Sequence, residues 1–518
     1  MEPIALLLDR LECEPEMPPR RLRQHKDWVA KQTRTASIGH SVLLQRYRLD
    51  LIQGKRSATP SLERLLTLNK VRSLSGVATV TVLTKPYPCP GQCTYCPTEV
   101  RAPKSYLLSE PPVMRALASD YDPYEQVTSR LSQLYSTGHL VDKVELIIKG
   151  GTWSAYPSDY RTWFVRRCFE AANHFREPAR AQDGPLRQAH TQNETARCRI
   201  IGLTVETRPD AISPEEIVRL RGWGVTRVEI GVQSLNAAVL SRTRRGHGPQ
   251  AVRTATRLLR DAGFKIVYHM MPNLPGATPE TDLADFRQLF EDPAFRPDTV
   301  KLYPCVVVAQ SVLYDEWRCG KHQPYDDHTL TELLIAMKRA VPPHVRIERI
   351  VRDISAPMVK AGCTQNNLRQ IVQQEMRRRG FRCRCVRCRE VGKETAGSFE
   401  LVRREFTAGG GREIVLSFEN PQTDRLAALL RLRSCGDRAA AWVRELHTYG
   451  IQLPVGSASS EPEAQHKGFG RRLMQEAERI ASKEWGLPSL HVIAGVGVRA
   501  YYRKLGYVLE GNDMVKPL

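Results

Sequence analysis

Cys89-Pro90-Gly91-Gln92-Cys93-Thr94-Tyr95-Cys96 is the stretch on which the fold turns, and it follows directly on a β-branched apolar run over residues 77–84. Cysteines spaced C-x3-C-x2-C can aim three thiolates at one point. With 13 cysteines in 518 residues, this pattern would arise by chance only about 0.008 times. Cysteine thiolates ligate iron-sulfur clusters, and three of them around a four-iron cubane (4Fe-4S) leave one iron without a protein ligand. That iron can be chelated by the amino and carboxylate groups of S-adenosylmethionine (SAM), whose sulfonium bond a reduced cluster cleaves to a 5'-deoxyadenosyl radical. A three-cysteine zinc site completed by a distant residue is the alternative.

Outward from this loop, β-rich runs at 77–84, 143–150, 199–207, 227–234, 265–271 and 299–308 alternate with helical patterns such as 214–223 and 250–262. The alternation predicts βαβ units and a parallel sheet, a full or partial barrel whose chemistry gathers at the carboxyl ends of the strands. The loop resembles that of the radical SAM superfamily, including the aromatic Tyr95 before the last cysteine. On that resemblance Gly150, Gly151 and Thr152, ending the second run, would bind the SAM amino group. Glu206 and Arg208, closing the third, are candidate SAM contacts, with a salt bridge as the alternative. The polar stretch 177–197 reads as a surface insertion.

Past residue 397 the pattern changes to a hairpin, with strands at 399–406 and 413–418 around Gly409–Gly411, then one long helix over 471–485. Gln465, Gly468, Phe469, Gly470 and Arg471 open that helix, where glycines let backbone amides approach a pyrophosphate. The Q-x-x-G-x-G form resembles the acetyl-CoA loop of the GNAT acetyltransferases. In that fold the preceding strand, here 444–450, splays open, so that Glu445, Leu446, His447 and Thr448 line the pantetheine arm. Tyr501 and Tyr502, in the closing segment, are the candidate catalytic phenols for the thioester; Tyr507 reads as core packing.

Between the two halves, Cys383, Cys385 and Cys388 form C-x-C-x2-C, a spacing suited to zinc with a fourth ligand from elsewhere. His269, His344, Cys305 and Cys363 are all possible for that position, and a second iron-sulfur cluster is the competing reading. Seven arginines over 377–389 make this knob a phosphate-binding surface. Ten Lys or Arg against two Asp over 20–56 make a second one, a basic helical arm whose bland alternative is a solvated face.

Charge agrees with polyanionic partners: 77 Lys+Arg against 56 Asp+Glu give a net charge of +21. No run approaches the roughly 18 apolar residues of a membrane span, and the start lacks a basic n-region, so a cytoplasmic protein that binds no membrane is expected.

From about Val71 to Leu518 the sequence resembles the family of the Elongator catalytic subunit, Elongator protein 3, of bacterial or archaeal type. The phrases that carry this are Pro103-Lys104-Ser105-Tyr106, Glu110-Pro111, Met114-Arg115-Ala116, Tyr121-Asp122-Pro123, Val205-Glu206-Thr207-Arg208-Pro209-Asp210, Arg389-Glu390-Val391-Gly392 and Tyr501-Tyr502-Arg503-Lys504-Leu505-Gly506-Tyr507. The resemblance implies four parts: a tRNA-binding arm (1–72), a radical SAM partial TIM-like (β/α) barrel (73–370), a small zinc-binding linker (371–394) and a GNAT-type α/β domain (395–518). It implies carboxymethylation of carbon 5 of the tRNA wobble uridine from acetyl-CoA and SAM, with a 4Fe-4S cluster, zinc and an external reductant. It also implies that Lys143 contacts acetyl-CoA from the barrel side. The cluster spacing is shorter than in eukaryotic members, which also carry other residues at Cys385 and Cys388. The barrel mouth and the acetyl-CoA domain are expected to face one cleft. A protein lysine acetyltransferase with a structural iron-sulfur part is the alternative function, and a non-catalytic tRNA-binding scaffold a third.

Overall fold

Parallel neighbours require a crossover, and a helix supplies it. In the computed structural model, which describes residues 2–67, 76–177, 184–392, 397–434, 439–450 and 468–518, nine strands form in the first 361 residues. They are β1 (Ala78–Leu83), β2 (Lys143–Lys149), β3 (Arg199–Thr207), β4 (Arg227–Gln233), β5 (Lys265–Met270), β6 (Thr299–Leu302), β7 (Val307–Val308), β8 (Arg346–Ile350) and β9 (Val359–Ala361). One parallel sheet runs in the order β1-β2-β3-β4-β5-β6-β8, while β7 and β9 pair separately. Its outer strands β1 and β8 do not close on each other, so the architecture is a partial barrel.

Two expectations are corrected here. The run 299–308 breaks into β6 and β7, because Pro304 has no N–H to give a continuing ladder. The seventh strand of this sheet, Arg346-Ile347-Glu348-Arg349-Ile350, is not among the β-rich runs named from the sequence; its three charges in five residues weaken the apolar pattern.

Amphipathic helices cover the sheet. The helix Pro249–Asp261 buries Val252, Ala255, Thr256 and Leu259 at helical spacing, and Thr278 closes a capping box at the start of Pro279–Glu291. The basic arm is a folded unit: helices Pro3–Glu12, Pro19–Thr33, His40–Ile52 and Pro60–Leu66 enclose Leu7, Leu11, Leu22, Val29, Leu44 and Tyr47. It is tied to the barrel by Arg48, which donates to Tyr135 O at 2.6 Å and stacks on that ring.

The second sheet follows the order β10-β11-β12-β13-β14-β16-β15. Its strands are β10 (Glu400–Ala408), β11 (Gly411–Asn420), β12 (Arg425–Ser434), β13 (Ala441–Thr448), β14 (Ser489–Val492), β15 (Val508–Glu510) and β16 (Asp513–Pro517). One face packs Ile414, Leu416, Leu430, Leu432 and Val443 against Leu473, Met474 and Ala477 of the helix Phe469–Arg479.

The other face docks on the amino ends of the barrel strands through buried charges. Arg444 donates to Asp298 at 2.6 and 3.1 Å and to Glu413 at 3.0 Å; Asp298 immediately precedes β6. Arg431 bonds Glu445 at 2.8 Å, and Glu445 in turn pairs with Lys265 at the start of β5. The β-bulge at Arg431/Leu432 leaves Arg444 without an opposite residue. It lets consecutive Arg444 and Glu445 both reach the barrel. Gly495 and Gly497 are needed because a Cβ would fall 1.9 Å from Ile201 O and 2.6 Å from Arg199 Cβ.

Within the stretch 177–197, the described residues 184–197 are more than a surface insertion. Its helix Leu186–Asn193 packs inward, Asn193 holding Asn173, Cys198 O and Ile200 N. Glu194 beyond it grips Arg499 at 3.1 Å and Arg503 at 2.5 Å, so the segment is a barrel-to-sheet clamp. Among the described residues no helix is long and apolar enough to cross a membrane.

Candidate active site

The cysteine loop sits at the carboxyl rim, where β1 ends. Backbone bonds pin it: Thr94 N donates to Thr243 O, Leu313 N to Thr94 O, and Thr98 N to Gln310 O, at 2.8–3.1 Å. Donors also meet the sulfurs. Gly91 N reaches Cys89 Sγ at 3.4 Å, the Thr152 hydroxyl lies 3.4 Å from Cys89 Sγ, and Arg245 Nη1 donates to Cys93 Sγ at 3.3 Å. Burial raises the Cys93 thiol, but the charge and hydrogen bond of Arg245 outweigh it and lower its pKa. Cys89, Cys93 and Cys96 do not form a group with all sulfurs within 4.8 Å of one another. Three thiolates on one loop are the donor set of a four-iron cluster with one iron left open.

Beside it, Gly150 (φ 148°) and Gly151 (φ 86°) turn the chain off β2 in conformations that favour glycine. A Cβ on Gly150 would lie 1.7 Å from Thr84 Oγ1, and one on Gly151 3.1 Å from Lys104 O. Arg208 is held by Asp210 at 2.8 and 2.9 Å and by Arg245 O at 2.8 Å, yet its Nη1 is buried without a partner, close against Gly91. A buried, unsatisfied guanidinium nitrogen at the cluster loop fits a carboxylate ligand such as that of SAM. Thr152, by contrast, turns its hydroxyl to Cys89.

Glu206 faces the interior. It accepts from Tyr106 at 2.8 Å and approaches His269 at 3.5 Å and Lys149 at 3.6 Å. Burial raises its pKa, but Lys149 and His269 hold it below the usual carboxylate range. From His269 the contacts continue to Glu229 at 2.8 Å and on to Lys301 at 2.6 Å, then to Glu348 at 3.7 Å and Arg227 at 3.3 Å. The sequence reading missed Tyr106, Glu229, Arg245, His269 and Lys301. A polar or charged residue inside an otherwise apolar parallel strand, as in Val-Glu229-Ile or Val-Lys301-Leu, is the signal that marks Glu229, His269 and Lys301; Tyr106 and Arg245, outside the strands, carry no such signal.

At the amino end lies the acetyl-CoA candidate. β14 pairs with β13 only over Ala441–Val443, so residues 444–448 diverge from it as a splayed strand does. Gly468 caps the helix Phe469–Arg479 in the left-handed region at φ 71°. A Cβ on Gly470 would meet Tyr501 Oη at 3.1 Å and Thr448 at 3.7 Å, which brings Gly470, Thr448 and Tyr501 to one slot. Leu446 packs toward the domain core, whereas Glu445 turns to Lys265 and His447 is pushed down to about 4 by burial, beside Glu445, Lys265 and Arg346. Tyr502 is buried in the core, and Tyr507 bonds Glu478 at 2.9 Å. Among the described residues it is the Tyr501 hydroxyl that lies against Gly470, while the Tyr502 ring packs in the core. Phe469 is buried in the core, stacked on Phe418, and Arg471 lies near Tyr501. Gln465 lies outside the described residues. Lys143, at the amino end of β2, is half-buried beside Asp142 and Arg199.

Lys143 and Gly150 stand at opposite ends of β2, about 20 Å of extended chain apart, with the charged interior between them. The second sheet docks on the amino ends of the barrel strands, so the acetyl-CoA candidate and the cysteine loop lie at opposite ends of that interior.

Cys383, Cys385 and Cys388 place three sulfurs within 4.8 Å of one another, a set that fits one tetrahedral thiophilic ion. His269, His344, Cys305 and Cys363 do not join them: His269 belongs to the interior network and His344 stacks on Phe406. The arginines around the knot are mostly engaged. Arg389 is buried on Glu419 and Asp424, Arg384 meets Asp424, and Arg378 and Arg379 hold Glu375.

A cysteine-loop half-barrel carrying an acetyl-CoA-type sheet defines a radical SAM enzyme fused to a GNAT domain. Residues 87–288 match the radical SAM superfamily, 297–378 the radical SAM C-terminal domain and 389–507 the acetyltransferase (GNAT) family. Among curated proteins, tRNA uridine(34) acetyltransferase of Dehalococcoides mccartyi is 46% identical, with 86% of this chain and 99% of that protein covered. Elongator complex protein 3 of Homo sapiens is 41% identical over 88% of this chain and 86% of its own. The solved structure of the archaeal Methanocaldococcus infernus Elp3 with an N-terminal deletion superposes with a TM-score of 0.75 at 40% identity, covering 86% of this chain and 99% of that one. The chain belongs to the Elongator protein 3 family of tRNA uridine(34) acetyltransferases.

Proposed function

We propose that this protein installs an acetyl-derived carboxymethyl group on carbon 5 of the tRNA wobble uridine, taking the group from acetyl-CoA and the radical from SAM. The observation that carries the reading is the union of the two sites on one chain: a donor-lined cysteine loop with the unpartnered Arg208 at one end of the barrel, and the Gly470–Tyr501–Thr448 slot beneath the other. Cys89, Cys93 and Cys96 would hold the 4Fe-4S cluster, and Cys383, Cys385 and Cys388 one zinc. When bound, cluster and SAM supply a carbon radical able to take hydrogen from an unactivated methyl group.

The chain's own residues bind and orient. Arg208 Nη1 takes the SAM carboxylate, Gly150 and Gly151 admit its amino group, and Glu206 fixes the floor through Tyr106 and His269. Lys143 and Tyr501 hold the acetyl-CoA end, and the charged groups from Glu206 to Glu348 mark the path between. Uridine carbon 5 must leave the anticodon stack, which a single-stranded loop permits at low cost. Exposed Arg20, Arg21, Arg23, Lys31 and Arg34 of the arm hold phosphates, and the cluster that Cys89, Cys93 and Cys96 would hold would take its electron from an external one-electron donor.

Acetyl-CoA turnover by purified protein, measured with and without tRNA, tests the reading: turnover is expected to depend on tRNA, and tRNA-independent acetylation of a protein lysine would overturn it. Given the 20 Å scale between the two ends, methyl-deuterated acetyl-CoA is the sharper probe. Deuterium should appear in 5'-deoxyadenosine, and its absence in enzyme that still modifies uridine would refute direct abstraction.

A further inference from the structure

The helix Asp327–Ala340 buries Lys338 completely. Its own neighbours on the buried face, Leu330, Leu333, Leu334, Ile335 and Met337, are apolar. Its Nζ points at the second cysteine knot and lies 3.8 Å from Cys388 Sγ. Among the described residues no carboxylate stands within ion-pairing distance of it. Arg369 and Arg387 also neighbour the sulfurs, but Arg369 spends a hydrogen bond on Ile347 O at 3.0 Å and Arg387 one on Glu348 O at 2.9 Å, and neither is fully buried.

A buried ammonium needs an anion. Three neutral thiols provide none, and three thiolates packed within 4.8 Å repel one another unless a cation binds them. A divalent ion resolves both problems, because three thiolates around it carry a net charge of about −1, which one lysine cancels. We propose that Lys338 is the built-in counter-charge of an anionic three-sulfur metal centre, a positioning residue that makes the centre electroneutral inside the barrel wall. The inference rests on the reading of this knot as a zinc site and adds the group that selects an anionic occupant.

The centre also has a structural reach. Cys385 caps the short helix Val386–Arg389, Val386 N bonds Val345 O before β8, and Arg389 holds Glu419 and Asp424 of the second sheet. The knot that Lys338 faces thus stands at the junction of barrel and sheet.

The test compares wild type with Lys338→Met, nearly equal in volume, in the full-length protein. Wild type should carry one zinc per chain by elemental analysis. The variant should bind zinc 10–100-fold more weakly in competition with a chromophoric chelator, with the iron of the Cys89–Cys93–Cys96 loop unchanged. Thermal unfolding gives the signature that a packing role cannot produce. The variant should be less stable than wild type when loaded with zinc, and as stable or more stable when zinc is stripped, because the lysine's partner is then absent. An equal loss of stability in both states, or zinc affinity within twofold of wild type, would overturn the proposal while leaving the zinc reading intact. Wild type without zinc, or with iron and sulfide at this knot, would overturn both. Should Lys338→Met not fold, the same inversion is read in Lys338→Gln, which keeps the side chain polar.

Discussion

Asp298→Asn removes one negative charge from the junction between barrel and acetyltransferase sheet. The carboxylate is 2% exposed, receives Arg444 at 2.6 and 3.1 Å and Ile266 N at 2.8 Å, and lies 3.6 Å from Arg431 and 4.0 Å from Arg260. Its loss leaves Arg260, Arg431, Arg433 and Arg444 facing only Glu413, Glu445 and Asp261. Breaking a buried ion network by one partner costs about 3–5 kcal/mol, so local opening should rise by roughly 10²- to 10⁴-fold. Hydrogen exchange read by mass spectrometry over β5 and β13 should report it, with the cysteine loop unaffected. The pH dependence has a definite sign. Burial alone would raise the Asp298 pKa, but Arg444, Arg431 and Arg260 hold it far below its ordinary value. Stability from a depressed carboxyl is present above the unfolded value of about 3.9 and is lost as pH falls toward the folded one. The difference between wild type and variant should thus be full at neutral pH and shrink below about pH 4. Unchanged exchange at pH 7, or a difference that grows in acid, would refute the reasoning.

Other outcomes follow from single contacts. Cys93→Ala should lose iron and sulfide after anaerobic reconstitution and keep the metal at Cys383, Cys385 and Cys388, as separate elemental analyses would show. Reversal of Arg20, Arg21 and Arg23 to Glu should weaken tRNA binding and flatten its log–log salt slope by roughly 2–3, at about 0.7–0.9 per phosphate contact; an unchanged slope means the arm is only a solvated face. Gly470→Glu should abolish acetyl-CoA binding in calorimetry, since even its Cβ would crowd Tyr501 Oη at 3.1 Å. Tyr501→Phe should slow acetyl-CoA turnover by about 2- to 10-fold, the worth of one neutral hydrogen bond, whereas Tyr502→Phe, in the core, should leave turnover nearly unchanged.

The chain's local order was legible before any fold. An eight-residue cysteine loop, the Gly150–Gly151 turn, the Gly468–Gly470 helix start and the alternation of β-branched runs with amphipathic helices are each specified within a few residues, because they depend on backbone conformation and on side-chain period. Those features are enough to define a radical SAM half-barrel followed by a GNAT sheet. The same reading named no strand at β8 and took 177–197 for a surface insertion, since a charge in a strand or a polar helix reads as solvated unless its partner is known.

Only the tertiary structure decided which end of the barrel the second sheet covers, that the Tyr501 hydroxyl lies against Gly470, that Arg245 and Lys338 point at sulfurs, and that Arg208 Nη1 is buried without a partner. Glu206, Glu229, His269 and Lys301 sit on four separate strands, up to 95 positions apart from first to last, and nothing in their local sequence states that they touch. Their pairing follows from the parallel register of neighbouring strands in the partial barrel, which takes them from water together and leaves each charge no partner but another. A motif records what the backbone must do at one place; which charges meet in the interior depends on how distant strands are brought into register.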